Sequence, residues 1–375
     1  MIQPQRLPVS LTPLDVALAT LLHGLEPVAP SDMWSAEALG CVAADMPPLQ
    51  AVPSCDVAAA DGWALRARDL VGASSYSPLP LAAIPAWVEA GDRVPEGCDC
   101  VIDADLLEQT GPLVEVTAEA IPGQGVRRGG SDIAEGASVI TAGRRVRRID
   151  LLSASAAGLE TIRVRHPRLR VVDIPANQGF SHTARLITGL ASAAGAGTAR
   201  VEARGRDIAS IADMVDVSVC DLLVTIGGSG VGRTDATIAA LAARGAEIVH
   251  GLALRPGRTA AFGRIGTIPV VALPGAPDQA LAVWWTLVLP VLERLAGLAP
   301  SPDAVTQPLA RKIASEVGMT ELVLLERIDD GQWWPLATGE LSLATIARAD
   351  AWLAVPGGSE GFAAGTPVDA YMLRD

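Results

Sequence analysis

A stretch rich in glycine, Gly227 to Gly232, lies between an apolar run and a segment rich in alanine. The run from Leu222 to Ile226 predicts a buried strand, and the residues after Asp235 predict a helix. Glycine turns between a strand and a helix let backbone N–H groups approach an anion. The same pattern is typical of ordinary α/β turns, which use glycine for its positive φ. The stretch matches neither a Walker loop nor a dinucleotide fingerprint.

A second turn of this kind, Pro274 to Pro277, also follows an apolar run and precedes a predicted helix. Ligands of open α/β sheets bind beyond the carboxyl ends of the strands. Arg255 and Arg258 lie between the two turns in sequence, and arginine binds oxyanions through a planar guanidinium. We therefore expect a pocket for a ligand with several phosphate-like groups. The alternative is that both arginines are surface residues of a turn.

Composition excludes several classes of partner. The net charge of −13 argues against nucleic acid and against an anionic membrane surface. No apolar run is long enough to span a membrane, and the first residues lack the pattern of a signal peptide. The five cysteines are odd in number and scattered, which predicts reduced thiols and a cytoplasmic protein. The single lysine, Lys312, leaves arginine and backbone N–H groups to bind anions.

The composition and the pattern of apolar residues change along the chain. Residues 7–45 are predicted to be mainly helical, with a short strand expected at Cys41–Ala43. Residues 46–146 are rich in proline and glycine with short apolar runs, which predicts β structure. A helix is expected over 149–159. Strands and helices alternate over 168–298, the pattern of a largely parallel sheet covered by helices. Residues 301–375 read as a second β region, a barrel or sandwich, with a hairpin turn at Asp329–Gly331.

Five segments, in the same order along the chain, resemble motifs of the molybdopterin molybdenumtransferase family (MoeA, related to the gephyrin E domain). Asp61–Ala64 resembles M-D-G-Y-A, and Gly130–Gly136 resembles G-E-D-I…G. Gly227–Asp235 resembles G-G-V-S-V-G-x-x-D. Arg255–Arg258 resembles K-P-G-K-P, and Leu273–Pro277 resembles L-P-G-N-P. The resemblance covers nearly the whole chain.

The resemblance implies a multidomain α/β plus β protein of four parts that forms a homodimer. Residues 1–45 and 147–166 would form a helical linker region, and residues 46–146 a β-rich domain inserted between them. Residues 167–300 would form a doubly wound α/β domain that binds molybdopterin. Residues 301–375 would form a C-terminal β barrel.

The resemblance also implies an activity: insertion of molybdate into adenylylated molybdopterin, with release of AMP, in the presence of Mg²⁺. The recipient would be a molybdoenzyme or another cofactor-biosynthesis protein. Matching motif by motif, Asp61, Asp132 and Asp235 are expected to be catalytic, and Asp207 and Asp235 to bind the metal. The residues expected to bind substrate are Gly227, Gly228, Ser229, Gly230, Gly232, Arg255, Arg258, Pro274, Gly275 and Pro277.

The chain also departs from the family pattern. Val57 and Ala58 replace Asn-Ser, and Pro175–Gly179 carries no carboxylate where the family has S-T-G-D-E. Gly230 replaces a serine, and Ala276 replaces an asparagine. These losses favour an alternative function, a catalytically reduced molybdopterin- or nucleotide-binding carrier or assembly protein. A third possibility is an enzyme that acts on another nucleotide, as CinA-like proteins do; the family-like β domains argue against it.

Overall fold

The computed structural model describes residues 5–110, 113–138, 140–175, 181–299, 304–328 and 330–373. The N-terminal part of the chain, up to residue 45, contains helix α1 (Leu14–Leu22) and strands β1 (Ser31–Trp34) and β2 (Val42–Ala43), with a 3₁₀ turn at Ser35–Glu37. Ala17 and Leu21 of α1 are fully buried in the main core of the α/β unit. The helix therefore packs as part of that unit, a boundary that the sequence did not predict.

The inserted β-rich region is built from short strands in three small sheets, with orders β6-β4-β7, β5-β9-β8 and β10-β3. Its elements are β3 (Val57–Ala58), β4 (Gly62–Leu65), β5 (Leu79–Leu81), β6 (Ala86–Val88), β7 (Cys100–Ile102), β8 (Leu107–Thr110), β9 (Leu113–Val116) and β10 (Val126–Arg127), with 3₁₀ turns at Ala67–Leu70 and Ala104–Leu106. Leu70, Ile102 and Val116 form part of a small core of their own. The region thus has its own apolar centre.

The chain then returns to the linker region through α2 (Arg148–Ala156) and β11 (Thr161–Arg165). Strand β11 pairs with both β1 and β2 in an antiparallel sheet. The linker region therefore contains a small sheet as well as the expected helix, and the strand expected at Cys41–Ala43 is present as β2. Ile162 and Val164 alternate with exposed residues along β11 and are fully buried, which is the pattern of a half-buried strand.

The α/β unit is a sheet of order β13-β12-β14-β18-β17-β15. Strands β13, β12, β14 and β18 are parallel, and β17 and β15 extend the sheet in antiparallel pairs. Its elements are β12 (Arg168–Asp173), α3 (His182–Ala193), β13 (Gly197–Glu202), α4 (Ile208–Ala212), β14 (Leu222–Ile226), α5 (Thr237–Ala243), β15 (Glu247–His250), β16 (Leu254–Arg255), β17 (Ala261–Ile265), β18 (Ile268–Leu273), α6 (Pro277–Val283), a π-helical segment (Trp284–Val288) and α7 (Leu289–Ala296). Val171 faces one apolar core and Val172 the other, so helices cover both faces.

The C-terminal unit closes into a barrel. Its elements are β19 (Ala304–Pro308), β20 (Ile313–Ala314), β21 (Thr320–Ile328), β22 (Gln332–Thr338), α8 (Leu343–Arg348), β23 (Ala351–Val355), β24 (Gly361–Phe362) and β25 (Pro367–Met372). The strands neighbour one another in the order β22-β21-β23-β25-β19. Leu309, directly after β19, forms a bridge with Trp333 of β22, and this bridge joins the two edge strands. Trp285 of the π-helical segment stacks on Trp352, 5.6 Å between ring centroids, and joins the barrel to the α/β unit. Within the described residues, no helix is both long and apolar enough to cross a membrane.

An arginine–aspartate pair fastens the first strand of the α/β unit. Asp221 accepts hydrogen bonds from the backbone N–H, Nε and Nη2 of Arg168 at 2.8, 3.1 and 2.9 Å. Burial alone would raise the pKa of the Asp221 carboxyl, but the hydrogen bonds from Arg168 outweigh burial and hold this pKa below its usual value. The pair therefore stabilises the fold above the unfolded-state pKa of about 3.9, and this contribution is lost as the pH falls through the lower, folded-state pKa.

We predict that Asp221→Asn lowers the free energy of unfolding by about 1–2 kcal/mol at pH 7, because it removes the charged acceptor. Denaturant titrations followed by circular dichroism at pH 7 and at pH 3 measure the difference from the native chain, which should shrink at the lower pH. Asp213→Asn, which removes an exposed carboxylate of the same unit, is the control. An equal loss at both pH values would contradict the assigned role of the Asp221 charge.

Candidate functional site

A cavity of about 590 Å³ lies beyond the carboxyl ends of three parallel strands. Pro175 follows β12, Gly227–Gly230 follows β14, and Pro274–Pro277 follows β18; all of them line the cavity. The chain leaves β12 for β13 on one side and later crosses to β14 on the other, so the cavity lies at the point where the strand order reverses. Open α/β sheets bind ligands at this position.

The glycine loop, Gly227–Gly232, passes too close to its neighbours to carry side chains at its start. Gly227 has φ +93°, and a Cβ there would lie 2.4 Å from the carbonyl oxygen of Ile174. Gly228 has φ +65°, and a Cβ there would lie 2.4 Å from Oγ1 of Thr237. The backbone of Thr237 donates to the Gly228 carbonyl at 3.1 Å, and its hydroxyl donates to the Gly227 carbonyl at 2.8 Å. The first turn of α5 thus shapes the loop.

Two residues that sequence reasoning missed, Gln5 and His250, bind the outer side of the glycine loop. Nε2 of Gln5 donates to the carbonyls of Gly228 at 3.0 Å and Gly230 at 2.8 Å, while its Oε1 accepts the N–H of Ile238 at 2.8 Å. Nε2 of His250 donates to the Ser229 carbonyl at 2.8 Å. No local motif could have indicated Gln5, since it lies 225 positions from Gly230.

These contacts leave the other polar groups of the loop free for a ligand. The N–H groups of Gly228, Ser229 and Gly230 make no hydrogen bond to any residue that the structure describes. Ser229 is fully buried and lines the cavity, and its hydroxyl has no hydrogen-bond partner within the described part of the chain. Buried polar groups are normally hydrogen-bonded, so unpaired donors at a cavity wall indicate a place for an acceptor. A ligand that carries an oxyanion supplies such acceptors.

Arg206 and Asp235 form an ion pair on the cavity wall. Nη2 of Arg206 lies 2.7 Å from Oδ1 of Asp235, and the N–H of Gly232 donates to Oδ2 at 2.9 Å. Nη1 of Arg206 also donates to the carbonyls of Ile174 at 3.3 Å and Pro175 at 3.0 Å. Sequence reasoning missed Arg206; its position just beyond the carboxyl end of β13 was the available signal. Asp235 therefore holds the glycine loop and this arginine in place.

The carboxylates expected to bind a metal do not form a metal site. Asp207 caps α4: its oxygens accept from the N–H and hydroxyl of Ser210 at 3.0 and 2.6 Å, and these bonds lower its pKa. Asp207 does not line the cavity, and Asp235 is the one acidic residue among the described residues that do. In the described ranges no three His, Cys, Asp or Glu side chains group as metal ligands. Mg²⁺ prefers several oxygen ligands, so this donor set does not fit it.

The two arginines expected in the pocket lie outside it. Arg255 is on β16, which joins the barrel sheet, and its guanidinium binds Glu321 at 3.0 Å and Glu316 at 2.9 Å. The side chain of Glu321 is 6% exposed, so Arg255 neutralises a carboxylate that would otherwise be buried unpaired. Arg258 is exposed, and its neighbour Thr259 lines the cavity. Neither Arg255 nor Arg258 is among the described residues that line the cavity, so their role in substrate binding stays a prediction, and the guanidinium on the cavity wall is that of Arg206.

The remaining predicted residues divide between the cavity and the inserted region. Pro274, Gly275 and Pro277 line the cavity together with Gly227–Gly230, whereas Gly232 contacts Asp235. The helices α5 and α6 that follow the two turns have seven residues each, so we assign anion contacts to the loop and to Arg206. Residues 176–180, which include most of the carboxylate-free segment, lie outside the described residues.

Asp61 and Asp132 both lie in the inserted β-rich region, and neither lines the cavity. Oδ1 of Asp61 accepts the N–H of Ala90 at 2.8 Å. Asp132 forms an ion pair with Arg127. Both carboxylates are exposed, and their catalytic role stays a prediction.

The fold and the cavity define a multidomain protein with a ligand-binding α/β unit. Two family models match the chain: the MoeA N-terminal region (domain I and II) over residues 12–158, and the probable molybdopterin binding domain over residues 172–294. The chain belongs to the MoeA family.

Individual relatives agree with this assignment. A putative molybdopterin biosynthesis protein of Methanocaldococcus jannaschii is 26% identical over 86% of this chain and 87% of its own. Molybdopterin molybdenumtransferase 2 of Mycobacterium tuberculosis is 29% identical over 67% of this chain and 71% of its own. The solved molybdopterin biosynthesis MoeA protein of Pyrococcus horikoshii shares the fold, with a TM-score of 0.74 at 24% identity, over 98% of this chain and 100% of that one.

We predict that Gln5→Ala loosens the glycine loop, because it removes two donors to the loop carbonyls and one acceptor from α5. Hydrogen–deuterium exchange followed by mass spectrometry should show faster exchange in peptides that cover residues 228–240. Arg6→Ala, an exposed substitution at the next position, is the control and should leave this exchange unchanged. Equal exchange in the native chain and in Gln5→Ala would show that Gln5 does not hold the loop.

Proposed function

We propose that this protein is a molybdopterin molybdenumtransferase, which inserts molybdate into adenylylated molybdopterin and releases AMP. The observation that carries the proposal is the set of donors at the cavity that make no hydrogen bond to a described residue: three loop N–H groups and the Ser229 hydroxyl, with the Arg206 guanidinium on the same wall. Relatives over most of the chain carry the name of this enzyme. The alternative, a catalytically reduced carrier or assembly protein, is not favoured by these comparisons.

The chemistry of the reaction suits these donors. Molybdate and the phosphates of adenylylated molybdopterin are oxyanions, and preorganised N–H donors bind charge that develops on oxygen as a phosphate bond breaks. The loop donors are fixed before the ligand arrives, because the loop carbonyls are bound by Thr237, Gln5 and His250. Their orientation therefore needs no rearrangement during the reaction. Since the cavity does not fit Mg²⁺, the proposed function includes no divalent cation held by its carboxylates.

We further propose that Asp61 and Asp132 act at the cavity of a second copy of the chain, as a homodimer would allow. Both carboxylates are exposed and neither lines the cavity of its own chain, so each is accessible to a second copy. All five cysteines are free thiols, which supports the proposal of a cytoplasmic protein. The recipient of the product, a molybdoenzyme or another biosynthetic protein, stays a prediction.

The test is a turnover assay with purified protein, adenylylated molybdopterin and molybdate, in which AMP release and cofactor formation are followed together. We expect molybdate-dependent AMP release. Asp132→Asn should lower this turnover at least about tenfold if its charge serves the reaction. Light scattering during size-exclusion chromatography measures the oligomeric state of the native chain and of Asp132→Asn, and it should give a dimer for each. Tight ligand binding without turnover would instead support the carrier.

A further inference from the structure

We propose that Arg206 takes the place of a divalent cation in this cavity, so that the site binds the phosphate of its ligand without a metal ion. The phosphate would contact Arg206, the N–H groups of Gly228–Gly230 and the Ser229 hydroxyl. This inference rests on the proposed function in one respect, the identity of the ligand as an adenylylated compound. The cation independence stands on the geometry of Arg206 and Asp235.

The first support is the charge of the cavity wall. Arg206 and Asp235 are the residues with fixed charge among the described lining residues, and they neutralise each other at 2.7 Å. Residues 176–180, Ala-Asn-Gln-Gly-Phe, add no carboxylate by sequence. For Asp235 to bind a divalent cation, it would have to leave Arg206 or share its charge with it. The guanidinium and the metal would then repel each other across one carboxylate.

The second support is the way in which Arg206 is held. Its guanidinium spans the end of β12 and the loop after β14, because it donates to the carbonyls of Ile174 and Pro175 and to Asp235. These three bonds use three of the five N–H groups of an arginine, and its side chain remains 25% exposed. The other two N–H groups make no hydrogen bond to a residue that the structure describes, and we assign them to the ligand. Arginine in such a planar arrangement binds phosphate oxygens with defined geometry.

The third support is the unpaired Ser229 hydroxyl. It is buried within the same cavity wall, next to the free N–H groups of Gly228 and Gly230. A phosphate bound there would accept from this hydroxyl, from the loop N–H groups and from the N–H groups of Arg206 that Asp235 and the two carbonyls do not use. A metal ion commonly contacts the phosphate oxygens in phosphoryl-transfer sites. In this chain a permanently charged guanidinium, already in place, would make those contacts.

The experiment is calorimetric titration of AMP into the full-length protein, with excess EDTA or with excess MgCl₂. We expect equal affinity, within about twofold, in the two conditions. A loss of more than about tenfold in EDTA would overturn the proposal, as would failure of AMP to bind in either condition. Titration of MgCl₂ alone is expected to give no binding to the native chain. Saturable binding of Mg²⁺ to the native chain would also overturn the proposal.

The substitutions separate charge from structure. Arg206→Ala should lower AMP affinity about 10- to 100-fold in EDTA and restore part of it in MgCl₂, because Asp235 is then free to bind the cation. Arg206→Ala combined with Asp235→Asn should lose the affinity without gaining the Mg²⁺ dependence. Arg206→Lys keeps the charge but not the planar geometry, so an intermediate affinity is expected.

Arg204→Ala is the matched control, since it removes an exposed arginine two positions away and should leave AMP affinity unchanged. Circular dichroism and thermal melting establish that each variant is folded. Unchanged AMP affinity in Arg206→Ala would overturn the proposal. Metal-independent AMP binding without molybdate-dependent turnover would overturn the proposed function and leave this inference standing, so the two failures are distinguishable.

Discussion

The carboxylate of Asp235 is the point on which the candidate site depends. One oxygen accepts from Arg206 and the other from the N–H of Gly232, so a single side chain holds both the cavity's guanidinium and the far end of the glycine loop. The side chain is only 16% exposed, which makes its neutralisation by Arg206 necessary. Loop shape and site charge are thereby coupled: a change at Asp235 or at Arg206 alters both.

The glycine loop is supported from distant parts of the chain. Gln5 precedes the first helix, and His250 ends β15, yet both bind carbonyls of consecutive loop residues. Helix α1 packs into the main α/β core, and Gln5, which precedes it, reaches the carbonyls of the glycine loop. The barrel is joined to the same unit through β16 and through the stacked Trp285 and Trp352. Several distant segments therefore build the site. The loop is held because its backbone carbonyls accept hydrogen bonds from these segments.

Much of the architecture could be predicted from local pattern. The strands and helices of residues 168–298, the hairpin near Gly331 and the C-terminal barrel all follow from apolar periodicity and turn residues. In the linker region the strand at Val42–Ala43 was expected, but β1 and the pairing of both strands with β11 were missed, since that pairing joins residues more than a hundred positions apart. The glycine loop and the Pro274–Pro277 turn were placed at one cavity because parallel strands end at the same edge. The magnesium ligands stay a prediction, because a motif does not show which partner its carboxylate has: Asp207 binds Ser210 and Asp235 binds Arg206.

The sequence by itself determined the family, the order of the units and the backbone loops of the cavity, since these depend on glycine, proline and periodic apolar residues that act locally. Only the tertiary structure decided which charged side chains meet. Arg255 lies on a strand beside Glu321 of the barrel and binds it, whereas Arg206, which no motif marked, reaches Asp235. The physical reason is that an ion pair depends on distance and burial, and two residues 29 positions apart acquire both only when parallel strands bring their ends together.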